Sequence, residues 1–139
     1  MENIHKLRKF YRLKNVERVG PVGNRKESSA EHSWSTLVLA DYFLEKSTQK
    51  LDRLKIYEIL MYHDIVEIEV GDIPIHHEEA RKNKKVDELN AIKKLRGDFP
   101  NPMGKKVFDL FTEFEEEITK EAKFAKAIDK IDALIHFLD

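Results

Sequence analysis

The sequence predicts an all-α protein, a bundle of about six helices, and three observations carry that expectation. Apolar residues recur at three- and four-residue intervals in segment after segment. No segment shows sustained two-residue alternation, and breaks containing Gly or Pro fall between the periodic stretches. Strands need the alternating pattern, whereas helices packed on one another need only the first. At 139 residues the chain is expected to form one domain over positions 1–139. No run approaches 18 consecutive apolar residues and no basic-then-apolar leader opens the chain, so neither a membrane span nor a secretory signal is expected. The absence of cysteine removes disulfides and thiolate metal sites. With 25 basic and 26 acidic residues, net charge −1, bulk charge offers nothing to attract nucleic acid or a membrane. A cytoplasmic protein is the expectation.

Taken in order, residues 3–14 carry Ile4, Leu7, Phe10 and Tyr11 at helical spacing. Residues 15–27 hold Gly20, Pro21 and Gly23 and read as an irregular loop bearing Arg18, Arg25 and Lys26. Ser28-Ser29-Ala30-Glu31 fits a capping box, with Ser28 as N-cap and Glu31 reaching back. An amphipathic helix with Trp34, Leu37, Val38 and Leu44 is predicted from there to about residue 46. After a polar turn, a second helix is expected over 53–70, with Gly71 as its C-terminal cap. His76-His77-Glu78-Glu79 has a metal-like composition, but the histidines are adjacent and their neighbours polar, so it reads as a solvated helix start. Residues 80–96 form a charged helix with Val86, Leu89 and Ile92 inward. The stretch 97–102 breaks the chain, and Pro102 suits the first turn of a helix carrying Val107, Leu110, Phe111 and Phe114. The last helix starts near residue 120, with Phe124, Ile128, Ile131, Ile135 and Leu138 along its core stripe. Asp129 borders that stripe, and Asp132 lies one turn further on.

The chemistry concentrates where an apolar run, Ile56-Tyr57-Glu58-Ile59-Leu60-Met61, leads into His63, Asp64 and Glu67. On a helix Glu67 stands at i+4 from His63 and i+3 from Asp64, so one imidazole and two carboxylates converge. His32 and an aspartate near residue 129 belong to two other predicted helices. Two imidazoles with carboxylates make a nitrogen/oxygen donor set suited to Mn, Fe, Co, Ni, Zn or, less well, Mg. Burying several carboxylates without a cation is costly, which is a second reason to expect a metal. Asp72, just past the helix end, either forms a turn or faces the same cavity.

The ordered set Ala30-Glu31-His32-Ser33, Tyr62-His63-Asp64-x-x-Glu67, Gly71-Asp72-Ile73-Pro74 and Lys126-x-x-Asp129 resembles the HD-domain metal-dependent phosphohydrolases. Within them it is similar to the 5'-deoxynucleotidase branch, from Arg18 to Asp129. The resemblance implies a helical bundle with a divalent metal held by His32, His63, Asp64 and Asp129, in preference to Asp132. It implies that Arg18 orients the substrate phosphate, that Glu67 lies near the attacking water, and that Asp72 joins them in the catalytic group. Val19, Asp72, Ile73, Pro74 and Ile75 would contact the nucleotide, and the protein would be a homodimer. One departure concerns the tryptophan that the family commonly places shortly after the arginine. Here Val19-Gly20-Pro21-Val22 follows, and the single tryptophan, Trp34, belongs to the His32 helix. Phosphohydrolase activity and deoxyribose selectivity are therefore separate expectations. Two other readings stand beside this one: a phosphodiesterase or nucleoside triphosphate hydrolase, and a non-catalytic metal- or nucleotide-binding module. Glu67 and Asp72, carboxylates beyond a sufficient ligand set, count against the module.

Overall fold

The computed structural model, which describes residues 2–71 and 78–138, contains all six expected helices, with the first and third altered. Helix α1 (Glu2–Arg8) tightens into a 3-10 helix (Lys9–Asn15), and strands β1 (Glu17–Val22) and β2 (Arg25–Ser28) follow. Then come α2 (Ser29–Lys46), α3 (Arg53–Tyr62), α4 (Glu67–Val70), α5 (Glu78–Asp98), α6 (Met103–Glu116) and α7 (Lys120–His136). Helix α2 packs on α3 and α7, α3 also meets α6 and α7, and α5 lies on α4 and α6. Among the described residues, no helix is long and apolar enough to cross a membrane.

The irregular loop expected at 15–27 is a β-hairpin. Its strands run antiparallel, pairing Glu17 with Ser28, Pro21 with Lys26 and Val22 with Arg25 around a bulge. Gly23 takes the positive φ, 58°, that a two-residue hairpin turn requires. The hairpin hands over directly to α2 through the expected capping box. Ser28 Oγ accepts from the Glu31 backbone N–H at 3.1 Å, and Glu31 Oε1 accepts from the Ser28 N–H at 2.9 Å. Arg25 adds a two-pronged contact to Glu31, at 2.7 and 2.5 Å, tying the hairpin to the helix start.

The helix expected over 53–70 stops at Tyr62. His63 Nδ1 donates to the Leu60 carbonyl at 2.6 Å, the oxygen that residue 64 would take in a continued helix. The chain then proceeds by shorter i→i−3 bonds, Ile65 to Tyr62 and Glu67 to Asp64, before the single turn of α4. Gly71 caps that turn at φ 72°, as expected. The break has a packing counterpart. Leu60 belongs to one hydrophobic cluster, with Ala40, Ile56, Leu110, Phe114 and Ile128, while Ile65 and Val66 belong to another, with Leu13, Ile92, Leu95 and Phe99. His63 and Asp64 therefore sit on the chain where it crosses from one cluster to the other.

Three inward stripes differ from those expected. Helix α2 buries Ser29, His32, Ser33, Thr36, Ala40 and Leu44, leaving Trp34 and Val38 exposed. Helix α5 buries Ala91, Ile92 and Leu95 and leaves Val86 and Leu89 exposed. Helix α7 buries Ala122, Ala125, Ile128 and Asp132 and leaves Ile135 exposed, as is Leu138 beyond its end. In α2 and α7 the reason is the same: the face turned inward carries small and polar residues, so the widest apolar stripe points elsewhere. The stripe expected on α6, Val107, Leu110, Phe111 and Phe114, is buried.

Candidate metal centre

His32 in the first turns of α2 and His63 at the end of α3 are 1% and 3% exposed, and their Nε2 atoms lie 3.3 Å apart. Each ring is oriented by what its other nitrogen does. His63 Nδ1 donates to the Leu60 carbonyl, an acceptor only, at 2.6 Å. His32 Nδ1 meets Asp132 Oδ2 at 2.7 Å, on the side of the ring away from His63. With both Nδ1 protons committed in this way, both Nε2 lone pairs aim at the same small volume. This is the tautomer arrangement metal-ligating histidines adopt.

Carboxylates complete that volume. Asp129 Oδ1, from α7, lies 2.7 Å from His32 Nε2 and 3.4 Å from His63 Nε2. Asp64 brings Oδ1 to 3.6 Å from His63 Nε2 and Oδ2 to 3.9 Å from His32 Nε2. His32, His63 and Asp129 each offer an atom within 4.8 Å of the others, a spacing one ion spans. Asp129 and Asp132 thus take opposite sides of one imidazole, and only Asp129 faces the shared volume.

The electrostatics fit a site built to hold positive charge. Burial by itself would depress the His32 imidazole, but the Asp129 and Asp132 carboxylates outweigh it and raise it to about 9. His63 is likewise pulled down by burial and pushed up more by Asp64 and Asp129. Burial favours a neutral Asp129, yet hydrogen bonds from His32 and His63 hold it well below the usual carboxylate range. In the metal-free protein protons supply the charge that balances these carboxylates. A divalent cation at the same place would displace them and satisfy both nitrogens and both carboxylates, so the residues present fit a metal.

Arg18 reaches this cluster from β1, donating from Nη1 to Asp64 Oδ2 at 3.2 Å. Val19 is exposed at the mouth of a cavity of about 100 Å³ that Arg18 and His32 also line. On the other side, a cavity of about 340 Å³ is walled by His63, Asp64, Glu67 and Asp129 on the cluster face. Lys84, Lys85, Glu88, Glu115 and Lys126 close it opposite. Glu67 is buried at the start of α4 and faces that cavity with the two ligand candidates before it. The sequence-predicted Asp72, Ile73, Pro74 and Ile75, and the His76-His77 pair, lie outside the described residues.

Sequence reasoning missed two buried carboxylates beside this cluster. Asp132 entered only as a rival ligand to Asp129, and Glu27 did not enter at all. The signal that would have found Glu27 is Gly23-Asn24 between two short segments, a two-residue hairpin turn that sets Arg18 and Glu27 on adjacent strands.

A helical bundle that gathers two imidazoles and two carboxylates from separate elements, with no thiolate, defines a class: helical proteins with a nitrogen/oxygen metal site. The chain belongs to the HD domain family, whose model matches residues 10–138. That family implies a divalent metal. Among curated relatives, the chain is 29% identical over 130 residues to 5'-deoxynucleotidase HDDC2 of Xenopus laevis, covering 91% of this chain and 63% of that protein. It is 30% identical over 132 residues to 5'-deoxynucleotidase HDDC2 of Bos taurus, covering 93% of this chain and 63% of that protein. The chain thus spans slightly under two thirds of the length of these two relatives. Among solved structures, it superposes with a TM-score of 0.85 on a predicted metal-dependent phosphohydrolase from Magnetospirillum magnetotacticum MS-1. The identity there is 30%, over 97% of this chain and 68% of that one. An HD-domain phosphohydrolase from Listeria innocua gives a TM-score of 0.79 at 26% identity, over 96% of this chain and 67% of that one.

Proposed function

We propose that this protein is a metal-dependent phosphohydrolase that removes the 5'-phosphate from (deoxy)nucleoside monophosphates. The observation that carries the reading is the convergence of His32, His63 and Asp129, with Asp64 and Arg18 beside them, between a cavity of about 340 Å³ and one of about 100 Å³. The larger volume is at the small end of ligand sites and suits one mononucleotide.

In this reading His32, His63, Asp64 and Asp129 hold one divalent ion, drawn from Mn, Co, Ni, Fe, Zn or Mg. What the ion supplies when bound is Lewis acidity, which polarises a phosphoryl oxygen and brings the pKa of water from about 16 towards 7. Arg18 places its planar fork on the phosphate oxygens and offsets charge during displacement. Glu67 accepts a proton from the attacking water or returns one to the leaving 5'-oxygen. Asp72 works beside it, and Val19, Ile73, Pro74 and Ile75 contact the nucleoside. With Asp64 and Asp129 given to the metal, the three lysines of the cavity are matched by Glu67, Glu88 and Glu115, a balance that favours a monophosphate over a triphosphate. The reading further takes the protein to be a cytoplasmic homodimer that engages neither nucleic acid nor membrane.

The test is phosphate release from deoxy- and ribonucleoside monophosphates with each metal in turn. Release that chelation abolishes is expected, and the deoxy/ribo ratio measures the selectivity left open by the absence of tryptophan in Val19-Gly20-Pro21-Val22 after Arg18. No release from the whole panel with any metal would sink the reading. Release of a nucleotide or of triphosphate from other substrates would move the assignment to phosphodiester or triphosphate hydrolysis.

A further inference from the structure

Glu27 is the buried charge that the proposed chemistry does not use. It sits on β2, 5% exposed, and a carboxylate withdrawn from water to that degree needs partners. It has two. Its Oε1 lies 3.3 Å from Arg18 Nε, and its Oε2 lies 3.6 Å from His136 Nδ1 on α7. Arg18 Nη1 is meanwhile 3.2 Å from Asp64 Oδ2. The guanidinium therefore hangs between one carboxylate of the hairpin and one of the metal cluster.

Two consequences follow from counting donors and charges. A guanidinium has five N–H groups; one on Nη1 donates to Asp64 and the Nε side lies against Glu27, so at least three remain, including both on Nη2. That remainder is enough for a forked contact with phosphate oxygens. The second consequence concerns competition. Asp64 and Asp129 both approach His63 Nε2, at 3.6 and 3.4 Å, and a long cationic side chain with no other anchor would pair with them. An arginine forked onto Asp64 through two nitrogens, rather than through Nη1 alone, would compete with metal for that carboxylate and would turn its donors away from substrate. Glu27 supplies the opposing pull. Its own place is fixed from behind, because the Gly20 backbone lies so near the His136 ring that a Cβ would come within 2.4 Å of it.

We propose that Glu27 is a positioning residue for Arg18, anchoring the Nε side of the guanidinium so that only Nη1 rests on Asp64 and Nη2 is presented to a substrate phosphate. The proposal rests on the reading of Arg18 as the phosphate-binding group. Its test compares Glu27→Gln, Arg18→Ala and the double variant in the metal-loaded protein. Three quantities are read: KM for dAMP, the inhibition constant of inorganic phosphate, and Co²⁺ affinity by titration. Glu27→Gln keeps the side-chain size and removes the charge. It should weaken phosphate inhibition and raise KM by roughly 10- to 100-fold, as small misplacements of a positioning group do. Co²⁺ affinity should change little, and the double variant should be no worse than Arg18→Ala alone. Should Glu27→Gln fold poorly, Arg18→Lys tests the same point. It keeps a positive charge but cannot span Glu27 and phosphate together, so its phosphate affinity should fall comparably.

Wild-type phosphate inhibition in Glu27→Gln, or effects that add to those of Arg18→Ala, would overturn the proposal while leaving Arg18 in its role. Unchanged phosphate affinity in Arg18→Ala would overturn the role of Arg18 and this proposal with it.

Discussion

The two halves of the site are held by different means. His32 and Asp129 stand on helices of 18 and 17 residues and His63 caps one of 10, with each imidazole locked through its Nδ1. Arg18 stands on a two-stranded hairpin, an element that is marginal in water without support. That support comes from Arg25 on Glu31, from Glu27 beside His136, and from the contact between Gly20 and His136. On the proposed reading, the difference makes metal binding and phosphate orientation separable in this molecule. The first depends on packed helices, the second on a small appendage tied to them by three side-chain contacts.

Changes that break one half should spare the other. The largest effect is expected from His63→Ala, which removes a buried donor of the cluster; phosphate release should fall to background, and metal titration should show the ion lost. Asp132→Asn keeps all four proposed ligands but weakens the partner of His32 Nδ1. Loss of such an outer hydrogen bond typically costs about 10- to 100-fold in metal affinity, measurable by calorimetry. Gly20→Ala acts on the hairpin, since its Cβ would lie 2.4 Å from the His136 ring. It should raise KM about 10-fold by moving Arg18, with metal affinity near wild type in the same titration.

Protons distinguish the halves as well. In metal-free protein His32 titrates at about 9 rather than 6.5, raised on folding. Its contribution to stability is therefore fully present below pH 6.5 and lost as pH rises through about 9. Urea unfolding in the presence of chelator should show lower midpoints at pH 9.5 than at pH 6.5, and added metal should remove most of that fall. The smallest effect is expected at the junction of the two halves. Ser28→Ala removes one arm of the capping box and should cost about 1 kcal/mol in the same unfolding assay, with catalysis little changed.

What was legible in the sequence follows from how local each signal is. The α2 cap at Ser28, the α6 stripe and the Gly71 cap are written in residues within one or two turns of each other, and all three stand in the structure. The pairing of His63 with Asp64 was legible for the same reason. The break after Tyr62 was not, because it arises when the His63 side chain takes a backbone carbonyl, a competition that periodicity does not register. The inward faces of α2 and α7 were misread because the site itself sits on them: His32 and Asp132 occupy positions where a core stripe would be apolar. Asp132 and Glu27 lay beyond reach for a further reason. Their partners, His32 and Arg18, are distant in sequence or across a turn that had been read as irregular.

Titration of Co²⁺ into chelator-stripped protein, followed by visible absorption, tests the central claim most directly. One ion per chain in the wild type is expected, with phosphate release from a deoxynucleoside monophosphate rising along the same curve, and both lost in His63→Ala. Absence of binding, or a His63→Ala titration indistinguishable from wild type, would contradict the assignment of this cluster as the metal centre.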